Sequence, residues 1–331
     1  MKMPEKTSLE RIVPSGTRRN KAYAPSRTAF WIWIALGIFI VQAAGCIRIP
    51  EENWMISHRG QLDTRMQTED CNATCLDRST ADQVNPERMD ADQAIRPPEL
   101  NTGGFRLVSW NIFKGKRNGW AEDFQKLSRN TDILILQEAY LTVILKKLLQ
   151  QEAYHWDMTT AFEYRQIEAG VLTASRTAPN FTCMFRETEP ITRIPKSVLI
   201  TRYPLVGTDR ELVVANIHAV NFTSANSGFQ KQNDRLEKIL AAHRGPMIVS
   251  GDFNTWNTGR MSRVNAMAKR LDLTAVKFDE NRRARFFGQD IDHIYYRGLE
   301  ANNAETFIVS TSDHNPLAVV FKLADESDPV H

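Results

Sequence analysis

The segment Ile248-Val249-Ser250-Gly251-Asp252-Phe253-Asn254 sets a carboxylate and a carboxamide at the end of a short apolar run that begins at Met247. In an extended strand alternate side chains share a face, so Asp252 and Asn254 are expected side by side. Such a pair can orient and deprotonate a water beside a metal-bound phosphate. Gly-Asp and Asn are also ordinary turn formers. The decision rests on whether other strand ends carry matching groups, and they do. Ser109-Trp110-Asn111, Gln137-Glu138 and Asn216-Ile217-His218 each close an apolar run. Asp292 lies between Ile291 and His293, and Ser312-Asp313-His314-Asn315-Pro316 precedes the last apolar run. Singly, each has a plain reading as a solvated loop residue, a packed histidine or a turn. Together, every plain reading would have to hold independently.

These residues require strands to present them. From Phe105 onward short apolar runs alternate with amphipathic segments, the pattern of an α/β domain. Strands are expected at Phe105–Trp110, Ile133–Gln137, Gly170–Ala174, Ser197–Thr201, Leu212–His218, Met247–Ser250, Ile291–Tyr296 and Leu317–Phe321. Helices are expected at Ala121–Arg129, Leu141–Gln151, Gly228–His243 and Met261–Leu271. In the third of these, Phe229, Leu236, Ile239 and Leu240 form one stripe, with Lys231, Arg235 and Lys238 off it. No internal repeat, dinucleotide fingerprint or P-loop pattern is present.

The first hundred residues are of another kind. Residues 1–28 are polar and basic, and Ala29 to Ile47 carries no charge. At about 1.5 Å per residue, a helix over 29–47 just crosses a bilayer core of about 30 Å. Trp31 and Trp33 stand where interfacial aromatics are common, and the basic excess before the span places the N-terminus in the cytoplasm. The rest would face the periplasm of a bacterium, with a cytoplasmic protein as the alternative. Ala43-Ala44-Gly45-Cys46 also resembles a lipoprotein processing box, although Ala43 stands where Leu is preferred. A lipidated Cys46 and an uncleaved span both leave the domain on the membrane. Residues 48–103 are polar, with little apolar periodicity, and are expected to be a linker before a domain over 104–324 and a tail over 325–331.

A chain of 331 residues with 42% apolar and 24% charged side chains is ordinary for a globular protein, and a net charge of +3 implies no strong polyanion partner. Four cysteines are too few for a disulfide scaffold. Cys71 and Cys75 are close enough to pair in an oxidising compartment, or stand as free thiols in the linker.

The ordered set Trp110-Asn111, Gln137-Glu138, Asn216-Ile217-His218, Gly251-Asp252-Phe253-Asn254, Ile291-Asp292 and Ser312-Asp313-His314 resembles the endonuclease/exonuclease/phosphatase superfamily over about residues 105–323. Phrases such as Asn111-Ile112-Phe113-Lys114, Glu189-Pro190-Ile191 and Tyr296-Arg297-Gly298 are similar to the bacterial YafD-like group, in which a soluble protein is usual. The resemblance implies a four-layer α/β/β/α sandwich of the DNase I-like type, with the site at one end of the sheets. It implies Mg²⁺ or Mn²⁺ and hydrolysis of a phosphate ester, and carboxylate and amide oxygens suit such a hard cation. Carried over by residue, Glu138 is the main metal ligand, with Asn111 beside it and Asp313 within reach. Asp252 and Asn254 position the water, Asp292 orients His314, and His218 donates to the phosphate. Either Asp252 or His314 takes the water's proton.

Lys114, Arg282, Arg283 and Arg285 are candidate substrate-binding residues, because arginines grip phosphates and the adjacent Phe286 and Phe287 can stack on bases. A solvated basic loop is the plain alternative. The substrate is expected to be nucleic acid, a nucleotide or a phospholipid headgroup, and the protein a monomer. A catalytically silent binding domain of the same fold is the competing reading, and it predicts loss of one or more of the six strand-end groups.

Overall fold

The computed structural model describes residues 47–58, 60–62, 67–68, 73–78, 99–221 and 227–325. In chain order the strands are β1 (Ile47–Arg48), β2 (Met55–Ser57), β3 (Gly60–Leu62), β4 (Gln67–Thr68), β5 (Ala73–Asp77), β6 (Phe105–Asn111), β7 (Ile133–Tyr140), β8 (His155–Tyr164), β9 (Ile167–Ser175), β10 (Phe181–Thr188), β11 (Pro195–Pro204), β12 (Glu211–His218), β13 (Met247–Asp252), β14 (Thr274–Ala275), β15 (Arg285–Phe286), β16 (Gln289–Asp290), β17 (Asp292–Arg297), β18 (Leu299–Thr306) and β19 (Leu317–Leu323). The helices are α1 (Trp120–Ser128), α2 (Val143–Gln151), α3 (Ser227–Leu240) and α4 (Thr258–Arg270).

One sheet runs β18-β19-β6-β7-β9-β8-β2-β3, with β1 also on β8; the other runs β14-β17-β13-β12-β11-β10-β5-β4. The period of two in each strand sorts its side chains between faces. Leu107, Ile133, Ile135, Leu212, Val214, Ile248, Ile294 and Val319 form the core between the sheets. Their neighbours Val108, Trp110, Leu134 and Leu136 face outward under Phe124 of α1 and Leu145, Leu148 and Leu149 of α2. Val213, Ala215, Ile217, Met247 and Val249 do the same under α3 and α4. The result is the expected helix–sheet–sheet–helix layering.

All eight expected strands and all four expected helices are present, the strands mostly longer than their apolar runs. The strands without an expectation lack a clean apolar signal. In β8, Thr159 and Thr160 occupy buried positions, and β18 is an edge strand whose asparagines and glutamates face solvent.

The expected linker over 48–103 is corrected where it is described. β2 pairs with β8, and β5 pairs with β10. Met55 packs with Val171, Met184 and Leu199. Runs of three to five residues bury their side chains on an existing sheet edge and so need no periodicity of their own. Neither reading of Cys75, paired with Cys71 or a free thiol in the linker, holds. Cys75 is disulfide-bonded to Cys183, its register partner across β5 and β10, with their Cα atoms 4.0 Å apart. Residues 1–28, the expected span apart from Ile47, Cys46, Cys71 and the last six residues lie outside the described residues. Among the described residues no helix is long and apolar enough to cross a membrane.

The parallel strands β6, β7, β12 and β13 all end where β17 and β19 begin, and this end carries the polar set. Behind it, Arg260 of α4 is fully buried. Its guanidinium donates to Val220 O at 2.8 Å, Asn254 O at 3.0 Å and Asn221 O, and lies over the rings of Phe229 and Trp256. It thereby ties the segment after β12 to the segment after β13. Arg260→Met should lower stability by about 2 kcal/mol or more, because three carbonyls lose a buried charged donor, and Arg260→Lys should not restore it. An unchanged urea midpoint would remove that role. Cys75→Ser should cost about 2–4 kcal/mol, seen as a lower midpoint that the wild type reaches only under reductant.

Candidate active site

The inner-face parity that puts Ile248 and Leu107 in the core also puts Asp252, Asn111, Asn216 and His218 between the sheets. Gln137 bridges the sheets deeper in, donating to Asn216 Oδ1 at 2.9 Å, while Asn216 Nδ2 donates to Leu136 O at 3.1 Å and Leu172 O at 3.0 Å. Gly251 allows β13 to lie close to β12: its φ is 142°, and a Cβ there would stand 2.0 Å from Ile217 O.

Asp252 is the meeting point. Its Oδ2 accepts from Asn111 Nδ2 at 3.3 Å, and lies 3.5 Å from His218 Nε2 and 3.9 Å from His314 Nε2. Its Oδ1 accepts from Asn254 N at 3.0 Å. Burial, aided by the neighbouring Asp292 carboxylate, pushes Asp252 up to about 6 despite the opposing charge of His314. His314 Nδ1 is 2.8 Å from Asp292 Oδ2. Burial would lower the His314 pKa, but Asp292, with Asp252 and Asp313 beyond it, outweighs burial and raises it to about 10. His314 is therefore an imidazolium at neutral pH, bonded to one aspartate and facing another.

His218 behaves oppositely. Burial and the adjacent Lys196 hold its pKa well below the usual histidine value. Lys196 Nζ is 2.8 Å from His218 Nε2. An ammonium only donates, so Nε2 is the acceptor, and in this arrangement it does not serve as the phosphate donor expected of it. Lys196 went unread in the sequence, where it is one cation in a run without a motif. Its position opposite the end of β12 in the β11–β12 pair was the available signal.

Asn254 does not continue the strand beside Asp252, as extended geometry implied. β13 stops at Asp252, and Asn254 takes φ 49°. Its Nδ2 donates to Ala219 O at 2.9 Å. The two side chains are held together by a turn, through Asn254 N on Asp252.

Glu138 likewise leaves the strand pattern. The β7–β9 register shifts between Leu136 and Ala139, and Glu138 has φ 48°. A bulge of this kind re-aims a side chain at a cost of about 1–3 kcal/mol. The Glu138 carboxylate is paired with Lys114 Nζ, which sits in a turn where Phe113 and Lys114 also have positive φ. Burial works against ionisation, but Lys114, with Lys196 adding, lowers Glu138 to about 2.

The segments that carry Asn111, Glu138 and Asp313 are joined through main-chain links. Asn111 is the register partner of Gln137, next to Glu138. The Ser312 hydroxyl donates to Asn111 O at 2.6 Å and lies 3.4 Å from Asp313 Oδ1. Trp110 Nε1 donates to His314 O at 3.0 Å and fixes the same loop. The residues fit a hard divalent cation: Glu138 is ionised, partly open to solvent, and already carries a cationic group in Lys114. Asp313 is exposed and reachable. Asp252, Asp292 and His314 also bring ligand atoms within 4.8 Å of one another.

The expected arginine grip is not assembled. Arg282 pairs with Glu280 at 2.7 Å, while Arg283 and Arg285 pair with Asp290 at 2.6 and 2.8 Å. Arg283 Nη1 also lies 3.2 Å from His293 Nδ1, and His293 Nε2 lies 2.7 Å from the Thr255 hydroxyl. That chain braces the β15–β16 hairpin beside Asp292. Lys114 is at the site, on Glu138.

Comparison with known proteins accords with this geometry. A 40% identical relative, a UPF0294 protein from Yersinia pseudotuberculosis, aligns over 236 residues, 71% of this chain and 90% of its own length. An endonuclease/exonuclease/phosphatase family protein from Leptotrichia buccalis superposes with a TM-score of 0.52 at 14% identity, covering 66% of this chain and 100% of that one. The human Nocturnin catalytic domain with bound sulfate superposes with a TM-score of 0.50 at 17% identity, covering 69% and 97%. These two likenesses concern the fold. The sequence profile of the endonuclease/exonuclease/phosphatase family matches residues 108–314, the span from β6 to His314, and the chain belongs to that family.

Proposed function

We propose that the chain is a divalent-metal-dependent phosphoesterase acting on phosphodiesters, tethered to a membrane with its domain in the periplasm. The observation that carries the chemistry is the arrangement at one carboxylate: Asp252 Oδ2 lies 3.9 Å from His314 Nε2, and Asp292 Oδ2 lies 2.8 Å from Nδ1 on the far side of the imidazole, while burial pushes Asp252 up and the aspartates push His314 up. Such a pair separates base from acid at neutral pH. Asp252 accepts the proton of a water whose oxygen bonds to phosphorus. The ester P–O bond breaks, and His314 Nε2 protonates the leaving oxygen. The 3.9 Å between Asp252 Oδ2 and His314 Nε2 lets the proton return and reset both groups.

Asn254 holds Asp252 by its main-chain N–H, and its Oδ1, bonded to no described residue, orients the water. Lys196, held on the neutral His218, meets the phosphate charge as it builds. Glu138, Asn111 and Asp313 would hold Mg²⁺ or Mn²⁺, which supplies Lewis-acid polarisation of a phosphate oxygen. Export is supported by the Cys75–Cys183 cross-link, since stable disulfides belong to oxidising compartments. The charge-free stretch Ala29–Ile47 supports the tether.

The test uses the full chain, because β2 and β5 belong to the sheets. Hydrolysis of bis-p-nitrophenyl phosphate is expected with Mg²⁺ or Mn²⁺ and is abolished by EDTA. Glu138→Ala and His314→Ala should each lose about 10²-fold or more in kcat while remaining folded by circular dichroism. Activity that survives EDTA, or near-full activity in either variant, overturns the assignment. Lys196→Met should reduce kcat by about 10-fold or more with little change in KM, since its charge acts on the transition state. A change confined to KM would place Lys196 in ground-state binding instead.

A further inference from the structure

The large apolar side chains left in solvent are unevenly placed. Val143 and Ile144 open α2, Ile191 lies between β10 and β11, Phe286 and Phe287 lie in the β15–β16 hairpin, and Ile308 lies between β18 and β19, with exposures of 38% to 83%. Each of these segments leaves or enters a strand at the end that carries Asp252. Among the described residues of this kind, Val206 follows β11 at the opposite end, and Ile49 stands two residues from Ile47. Ile308 lines a hollow with Arg106, Lys126 and Asn130, toward the other end of β6 and α1. Single exposed apolar residues are normal, but the remaining five, on connections at one end of the sheets, mark an interaction surface.

The same connections carry exposed cations: Lys116 after β6, Lys146 and Lys147 on α2, Arg165 between β8 and β9, and Arg193 beside Ile191. The exposed acids there are Glu51 and Glu52 between β1 and β2, Glu122 in the first turn of α1, Asp279 and Glu280, the latter paired with Arg282, and Asp313 within the site. A partner with an apolar interior and an anionic face fits the part of this rim where Lys146, Lys147 and Arg193 stand beside Val143, Ile144 and Ile191. A nucleic acid fits less well. Valine and isoleucine cannot stack on bases, Phe286 and Phe287 pack on one another and Phe287 on Trp256, and the three arginines beside them are paired with Glu280 and Asp290. A bilayer accepts aliphatic side chains at the acyl boundary and offers phosphates to lysine and arginine.

The path of the chain agrees. Ile47 is the register partner of Tyr164, the last residue of β8, and β1 runs antiparallel to β8. β8 runs toward the site end, so the chain joins the domain there, directly after the charge-free stretch Ala29–Ile47.

We propose that the site end of the domain docks on an anionic lipid bilayer and that the site hydrolyses the phosphoester of a membrane-lipid headgroup. The inference rests on the phosphoesterase reading above. The atoms balance as there: water adds to phosphorus, the ester bond breaks, and the alcohol leaves with the proton from His314.

The full chain is reconstituted into vesicles of equal parts phosphatidylcholine and phosphatidylglycerol with Mg²⁺ or Mn²⁺. Lipid products are read by mass spectrometry, and bis-p-nitrophenyl phosphate hydrolysis is read in the same sample. Val143→Ser combined with Ile144→Ser is expected to leave the soluble-diester rate within about twofold and to lower lipid hydrolysis about tenfold or more, from the lost burial of two side chains. Val143→Ser with Ile191→Ser, a second exposed pair, should give the same split. Equal effects on both substrates, or no effect on lipid, overturn the docking surface. A wild type that cleaves the soluble diester and nucleic acid but leaves the lipid intact overturns the substrate class. A wild type inert to the soluble diester removes the phosphoesterase reading itself, and this inference with it.

Discussion

A carboxylate buried between two sheets is the constraint on which this architecture turns. Asp252 is almost wholly out of water, and an isolated charge there would be costly or would neutralise itself. Its oxygens therefore draw in neighbours from every strand end around it: Asn111 from the first sheet, Asn254 from its own turn, and His314 from the last loop. Each demand has a structural consequence. Asn111 can reach Asp252 only if β6 and β13 face each other across the core. The turn at Asn254 has to leave the strand conformation. Gly251 has to lack a side chain so that β12 and β13 can deliver His218 and Asp252 to the same place. The compensation is incomplete, and Asp252 is left pushed up to about 6.

Why so much of this was legible in the sequence follows from parity. Strand periodicity is rigid, so an apolar run that buries Ile248 also fixes where Asp252 points, and the same holds for Asn111 and His218 at the ends of their runs. The fold class and the polar groups at the strand ends could be read from local pattern alone. The Asp292–His314 bond was a pairing implied by resemblance, and it is present at 2.8 Å. Glu138 was read as a strand-end residue, but its direction depends on a bulge. A bulge adds one residue without a sequence signature, so the pairing of Glu138 with Lys114 could not have been foreseen.

What escaped the sequence is what depends on distant partners. Lys196 matters because His218 stands 22 residues away in the next strand. Arg260 lies in a polar stretch of an amphipathic helix, where a surface position is the natural reading, yet three carbonyls and two rings enclose it. Cys75 looked toward its near neighbour Cys71, whereas the sheet supplies Cys183, 108 residues on. The short strands β2 and β5 have no pattern because the sheet edges that receive them supply the order.

Chemistry and selectivity are thus written in different parts of the molecule. The inner faces of the sheets fix the groups that act as acid, base and cation in the proposed reaction, and their rigidity leaves little room to choose among phosphoesters. Choice falls to the connections at the site end, where local charge balance decides what a residue can offer. Arg282, Arg283 and Arg285 show how far this balance departs from composition. As a sequence they are three free cations beside two aromatics, a surface for nucleic acid. Folded, they are bonded to Glu280 and Asp290, and the cations left exposed stand among valine and isoleucine instead. In the docking proposal, two carboxylates offset two of the three arginine charges and the aliphatic rim stays bare, a balance that favours an interface over a polyanion. A tether that joins the domain at that same end would keep such a surface close to its lipid.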